Sequence, residues 1–563
     1  MNRKLLCALP FAAIALHGQA QDRYLSEVFT SSEITLTSNV VFGTNIDFLT
    51  SQFTNPALYG PEVVQLQTLV STNQPIPPAF FDPQDASTVV KVVNLRMDVY
   101  QPEQDLDSET ARPVFIFVHT GNALPPPLNG SPTGLKTDSS AVEICKQMAR
   151  RGYVAISMDY RLGWNPLGST VEIRRGTLLN AIYRAIHDVK QCIRNIKADA
   201  AGANTYAVDP SKITVYGEGT GGYIALAAAT LDHPQELFIE KFRPDPFDPS
   251  VSYVDTTLVG NIEGFNGQLA LYRPNGFDSH FNFCVNAGGA LADTSWLAPG
   301  DVPMVALQTI FDPFAPYGNG TVIVPTTGEQ VVDVQGSNVF MELVNQYGNN
   351  SSFATLVGND PFTTRARSLY NTDQVHGTNT VHINTNLEGT FPLVTPNWPA
   401  QIPGTFEEAG PWQWWDPNGA LAQTVVSPGP PPITAGQASQ ASNPNFSGTK
   451  GRAYIDTIMG YMNPRIVCAL GLGPCGLMGL SDSNPIAAGV AMAPNPAHDL
   501  VHFTSAKEII RMVEVYDVNG RRVRAENVDN TNFILHRNGL KPGAYFVTLT
   551  FDQGTVTHKL MLD

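Results

Sequence analysis

Ile213-Thr214-Val215-Tyr216-Gly217-Glu218-Gly219-Thr220-Gly221-Gly222 is the stretch from which the architecture of this chain follows. The first four residues are apolar or β-branched and read as a buried strand. The glycine cluster after them reads as a turn too sharp for side chains. Tyr223 to Ala229 then continue as a helix of small residues. Working upstream, Val114-Phe115-Ile116-Phe117-Val118 is a fully apolar strand ending at His119-Thr120-Gly121-Asn122. A helix pattern runs from Ser140 to Arg151, a buried strand from Tyr153 to Met158, and another helix from Thr177 to Lys197. Apolar strands alternating with helices at this spacing predict an α/β domain, its mostly parallel sheet doubly wound with helices on both faces. Residues 22 to about 110 read instead as short alternating strands, such as Glu33 to Thr37 and Val93 to Tyr100.

The chain has 563 residues, 43% hydrophobic and 15% charged, which excludes a disordered chain. Lys and Arg number 34 against 50 Asp and Glu, a formal charge of −16 that argues against nucleic acid or an anionic membrane as partner. From Met492 onward there are 8 basic and 8 acidic residues, so the body carries the whole excess, 26 against 42.

Arg3 and Lys4 precede an apolar run from Leu5 to Leu16, and Gly18-Gln19-Ala20 has small-x-small form. Residues 1–20 therefore read as a secretory signal removed after Ala20, too short to span a bilayer, and no later run is long enough. An exported chain can form disulfides, and Cys145, Cys192, Cys284, Cys468 and Cys475 remain after that removal. Cys468 and Cys475 flank a Gly-rich turn and are the expected pair. The other three fall in apolar patterns and read as small buried hydrophobes. No cysteine–histidine cluster has metal-ligand spacing, so no metal or cofactor is expected.

Residues 482–491 are small and polar and read as a linker. Beyond it the period becomes two, in Met512 to Tyr516, Tyr545 to Thr550 and Val556 to Leu560. Turn signals at Asn519-Gly520, Pro542-Gly543 and Gln553-Gly554 separate these strands, predicting a small antiparallel β-sandwich. Pro494-Asn495-Pro496-Ala497, then Val515-Tyr516-Asp517-Val518-Asn519-Gly520-Arg521, then Leu540-Lys541-Pro542-Gly543-Ala544-Tyr545 and a closing Lys559-Leu560 resemble a type A sorting domain of type IX secretion. The resemblance covers residues 492–563. It implies a partner, the type IX machinery, and delivery across the outer membrane to the surface or beyond, often with cleavage of the tail. A carbohydrate-binding or adhesive β-domain is the other reading of this pattern.

The strand–turn–helix at 213–229 is also the context of a nucleophile elbow, in which G-x-S-x-G lifts a serine hydroxyl above the sheet. Gly219 stands where that serine would be, and no other Ser or Cys has glycines two residues before and after it. Thr220 is one position late, so its side chain should turn away from the apex. Glu218, the residue before the apex, should pack away from the pocket.

Around the elbow, residues 90 to 350 resemble the carboxylesterase branch of the α/β-hydrolase family. His119-Thr120-Gly121-Asn122 sits at the H-G-G oxyanion loop, Asp159-Tyr160-Arg161-Leu162 at the Y-R-L strand end, and Arg184-Ala185-Ile186-His187-Asp188 at the R-A-x-x-D helix. Asp209-Pro210 matches the D-P before the elbow strand, and Asp312-Pro313-Phe314-Ala315-Pro316-Tyr317 the acid-bearing D-P-x-x-P-Y. The resemblance implies an α/β-hydrolase domain over 21–481, with variable cap insertions at 235–280. It implies Asp312 as triad acid, His376 or His382 as base, and Gly121, Asn122 and Thr220 as oxyanion donors. Asp312-Pro313 can equally be a turn former, and either histidine an exposed loop residue.

The absent serine and Thr120 in the oxyanion loop depart from the family pattern, and both bear on catalysis. The expectation is an exported esterase-like protein that is catalytically silent or impaired. One alternative is a carboxylic-ester hydrolase working by another route. Another is a surface adhesin or polymer-binding protein, since cholinesterase-like adhesion proteins such as the neuroligins resemble esterases yet carry glycine at the nucleophile position. The ligand would be a small ester, a polymer or a protein. Trp412, Trp414 and Trp415 either line such a site or pin a long loop to the core.

Overall fold

The structure is a computed structural model describing residues 23–323, 328, 330–354, 356, 360–396, 407–473, 475, 490–495, 497–506, 508–517, 522–551 and 554–562. The expected signal segment 1–20, most of the expected 482–491 linker and the expected Asn519-Gly520 turn lie outside the described residues. The chain divides into two compact units, one built by residues up to 355 with 362–475, the other by 356–361 with 476–563.

Eight strands make the sheet of the larger unit. They are β1 (Ile34–Asp47), β2 (Lys91–Pro102), β3 (Arg112–Val118), β4 (Val154–Met158), β5 (Val208–Glu218), β6 (Phe283–Ala287), β7 (Met304–Thr309) and β8 (Thr390–Leu393), in the order β1-β2-β4-β3-β5-β6-β7-β8. β2 pairs antiparallel with β1 and β4, and every later pairing is parallel. All residues of β3, β4, β6 and β7 are buried, as strands covered on both faces require. The α/β-hydrolase fold expected from the sequence is the fold observed.

One element was not expected. Between β1 and β2 lies helix α1 (Pro56–Ser71), where the sequence reads as strands only. Its local signals are sound: the Asn55 side chain accepts the Ala57 N–H at 3.1 Å, proline opens the first turn, and Val63 and Leu66 share the buried face. β-branched residues on both sides obscure this short helical period.

Three helices position the site: α2 (Ser139–Arg150), α3 (Val171–Ala201) and α4 (Thr220–Thr230). α3 begins six residues before the predicted Thr177, capped by Thr170, whose hydroxyl accepts the Ile173 N–H. The Y-R-L and R-A-x-x-D segments meet in the core. Arg161 donates its backbone N–H to Asp188 at 2.7 Å and its Nε at 2.9 Å, and Tyr272 donates its hydroxyl to the same carboxylate at 2.7 Å. This buried pair ties the end of β4 to α3, and the added donors satisfy the carboxylate.

Toward its end the unit carries helix α5 (Gly448–Ala469), whose last turn holds Cys468, joined to Cys475 in the expected disulfide. Cys145, Cys192 and Cys284 are buried and unpaired. In the chain-entropy view so short a loop contributes roughly 2 kcal/mol. Reduction should therefore lower the urea midpoint of the full chain modestly, and a Cys468→Ser/Cys475→Ser variant should show the same midpoint with or without reductant.

The smaller unit has two antiparallel sheets. One joins Val490–Ala493, Leu500–Ser505 and Asn532–His536, and the other joins Ile510–Asp517, Arg522–Asn530, Gly543–Phe551 and Gly554–Leu562. Val501, Phe503, Val513, Val515, Val547, Leu549 and Leu560 form one buried cluster, the core that period-two alternation predicts. No helix among the described residues is long and apolar enough to cross a membrane.

Candidate active site

β5 ends at Glu218, and Gly219 alone makes the turn into α4, at φ +54° and ψ −115°. Only glycine adopts that conformation without strain. The Gly219 N–H donates to the Ala287 carbonyl at the end of β6, at 2.8 Å. α4 packs so closely on β3 that a side chain at Gly221 would strike the Val118 carbonyl. The strand, one-residue turn and helix at 213–230 have the form expected of an elbow, and the residue at the turn, Gly219, carries no side chain.

The place of the missing side chain is taken. A Cβ built on Gly219 would lie 3.0 Å from Thr120 Cβ and closer still to Thr120 Oγ1. Thr120 is held there by its own loop. Its carbonyl accepts from Tyr160 at 3.2 Å and lies 2.6 Å from His119 Nδ1, while the His119 ring stacks on Tyr160. Burial draws His119 down to about 4, so the ring is neutral at pH 7.

Gly121, Asn122 and Ala123 all have positive φ, which turns the chain back toward α4. There the Asn122 N–H donates to Thr220 Oγ1 at 2.7 Å. Thr220 lines the cavity, and its hydroxyl takes up the Asn122 N–H, one of the three donors expected for an oxyanion. The Asn122 carbonyl accepts the Trp164 indole N–H at 2.6 Å.

These residues open onto a cavity of about 430 Å3 that Gly219, Thr120, Gly121, Asn122, Thr220, Glu218 and Asp312 all line. Asp312 follows β7 as expected. Its Oδ1 accepts the Phe314 and Ala315 amides at 2.8 and 3.0 Å, so it forms a turn and faces the cavity at once. Burial pushes its carboxyl up to about 7 against the pull of those two amides.

Glu218, the residue before the turn, is among the residues lining the cavity while only 1% exposed, and its carboxyl is packed against Ser140 of α2 and the loop carrying Trp412 and Gln413. Gln413 and Ser140 both donate to Glu218 Oε1. Burial raises this carboxyl to about 7, helped by nearby Asp138 and opposed by Gln413, Ser140 and the Trp412 indole.

The two histidines lie elsewhere. His376, at the end of strand Thr372–His376, stacks on Phe311 and sits 2.8 Å from Glu407 Oε2. His382 is exposed and pairs with Asp373 at 2.7 Å. Neither is among the residues lining the cavity, nor is any lysine or arginine. From Val394 to Cys475, the stretch that follows β8, the sequence has no histidine. The Trp412 ring and Asp312 Oδ2 both approach Gly288, each coming within 4 Å of a Cβ built there.

Much of the cavity wall was not read from the sequence. Leu178, Leu179, Ile182 and Ile186 of α3 contribute one side. Leu237, Phe242 and Val254 come from the expected cap region. Val322, Val331 and Val332 come from the hairpin of Asn319–Ile323 and Gln330–Gln335. Of the tryptophans, Trp412 and Trp415 both line the cavity and pin the loop, while Trp414 lies under the Arg452 guanidinium. The alternation of valines in the hairpin was the available signal, but it does not say which surface the hairpin covers.

Residues 97–256 match the BD-FAE family, and residues 491–563 match the secretion system C-terminal sorting domain. The chain is an esterase-like α/β-hydrolase-fold protein with a type IX sorting tail, which directs it to the cell surface or outside. Similar solved structures include Thermogutta terrifontis esterase 2 phosphorylated by paraoxon, at 20% identity over 40% of this chain and 69% of that chain, TM-score 0.25. Its apo form matches at 20% identity over 40% and 70%, TM-score 0.25, and its propionate-bound form at 18% over 40% and 70%, TM-score 0.25. No curated protein matches the chain.

Proposed function

We propose that this exported protein holds a ligand in an esterase-like cavity and does not hydrolyse it, with residues 1–20 removed on export. The observation that carries the reading is Thr120, whose side chain stands where a nucleophile at position 219 would begin. Acyl transfer needs a nucleophile, a base within about 3 Å of it, and free donors for the oxyanion. Here the apex has no side chain, no histidine is among the lining residues, and the Asn122 N–H is already bound by Thr220. What remains is a largely apolar concavity of ligand-binding size.

The test is hydrolysis of p-nitrophenyl acetate and butyrate by the full chain at pH 8. The expected rate is that of an equal concentration of heat-denatured protein. Saturable turnover that Asp312→Asn abolishes would overturn the reading and establish a hydrolase working by another route.

A further inference from the structure

We infer that the cavity binds an organic cation with an apolar body, a primary or quaternary amine carried on an alkyl or aromatic group. The inference rests on the non-hydrolytic reading above and names the ligand class. Its first support is the charge inventory of the wall. Among the described residues lining the cavity, Glu218 and Asp312 are the carboxyls and there is no lysine, arginine or histidine to pair with them. A buried carboxylate without a counter-charge is costly, and it is relieved either by taking up a proton or by admitting a cation.

The second support is an incompletely satisfied carboxyl. Glu218 Oε2 makes no hydrogen bond of ordinary geometry, the Trp412 indole N–H being a further donor that reaches this carboxyl, in a residue that is 1% exposed and lines the cavity. Oε1 is the oxygen that Ser140 and Gln413 occupy. The Trp412 indole is close enough to lower the pKa of Glu218, yet its N–H too is without a partner of ordinary geometry. Asp138, the carboxylate that raises Glu218, adds a further negative charge nearby.

The third support is aromatic. Trp164, Tyr223, Phe314, Trp412 and Trp415 all line the cavity, and ring faces attract a desolvated cation. An anionic ligand would meet two carboxyls and no cation. A neutral one would fill the apolar wall but leave Glu218 Oε2 without a bond of ordinary geometry. The acidic excess of the body, 42 against 26, steers cations toward the protein.

A matched series separates the three cases: 4-phenylbutylammonium, 4-phenylbutanol and 4-phenylbutyrate, titrated by calorimetry into the full chain at pH 8. The ammonium should bind at least ~10-fold tighter than the alcohol, with the carboxylate weakest. Glu218→Gln should weaken the ammonium several-fold more than the alcohol and so narrow that preference, with Asp312 retaining the remainder. The wild-type protein supplies a second readout that needs no variant. Lowering the pH from 8.5 to 5.5 protonates Glu218 and Asp312, which face only Asp138, Tyr223, Ser140, Gln413, Trp412 and backbone amides. The ammonium's affinity should then fall ~10-fold or more. Equal or tighter binding of the alcohol or carboxylate, absence of ammonium binding, or an affinity indifferent to pH would each overturn the inference. None of these outcomes bears on ester turnover, which tests the broader reading separately.

Discussion

Gly219→Ser yields a protein that is less stable by roughly 2–6 kcal/mol and still does not hydrolyse esters. The stability loss has two sources. Any β-carbon at φ +54° is strained, at about 1–3 kcal/mol. It must also displace Thr120, whose Cβ would be 3.0 Å away, and overpacking of that kind costs about 1–3 kcal/mol. Adding Thr120→Gly removes the second source alone, so the double variant should recover part of the loss in urea unfolding. A single serine variant as stable as the parent would mean that Thr120 does not occupy the site. Activity stays absent in both variants because the restored hydroxyl has no histidine on the cavity wall to activate it. Turnover of p-nitrophenyl butyrate by either variant, at a rate ordinary for a triad enzyme, would contradict this.

Asp312→Asn stabilises the protein at pH 8 and leaves it unchanged at pH 4. Burial raises the carboxyl of Asp312 from 3.8 to about 7 in the folded protein. The folded state therefore binds a proton that the unfolded state releases between those values, and stability falls as pH rises through that window. At pH 8 the ionised carboxyl carries the full penalty, on the order of 2–4 kcal/mol. Asparagine cannot ionise and keeps an oxygen for the Phe314 and Ala315 amides, so the variant escapes it. Urea unfolding at pH 4 and pH 8 measures the difference, and an equal effect at both values would rule out the titration of Asp312 as its source. Glu218 and Asp138, both raised to about 7, give the wild-type curve the same slope. His119, drawn down to about 4, opposes it below its unfolded pKa.

Local rules account for what could be read in advance. The strand, glycine cluster and helix at 213–229 follow from burial of β-favouring residues and from a φ that only glycine adopts freely. The same holds for the sorting-domain strands, whose alternation is visible over a few residues at a time. Cys468 and Cys475 are seven residues apart, close enough for the chain itself to bring them together. Helix α1 is not legible locally because its signals are spread over one cap and two buried residues among strand-like neighbours.

Short stretches of chain thus specify an α/β-hydrolase body, an elbow-like turn with glycine at its apex, and a tail that addresses the protein outward. These are properties of short segments, and backbone stereochemistry and hydrophobic periodicity decide them locally. Tertiary packing is what sets Thr120 against Gly219, bonds Thr220 to the Asn122 N–H and brings Gln413 to Glu218. It likewise puts His376 beside Glu407 and brings Trp412 and Asp312 together near Gly288. Each of these pairings except His376 with Glu407 joins residues about a hundred or more positions apart. The packing of the whole sheet and its covering loops sets such distances, and no short stretch of chain encodes them.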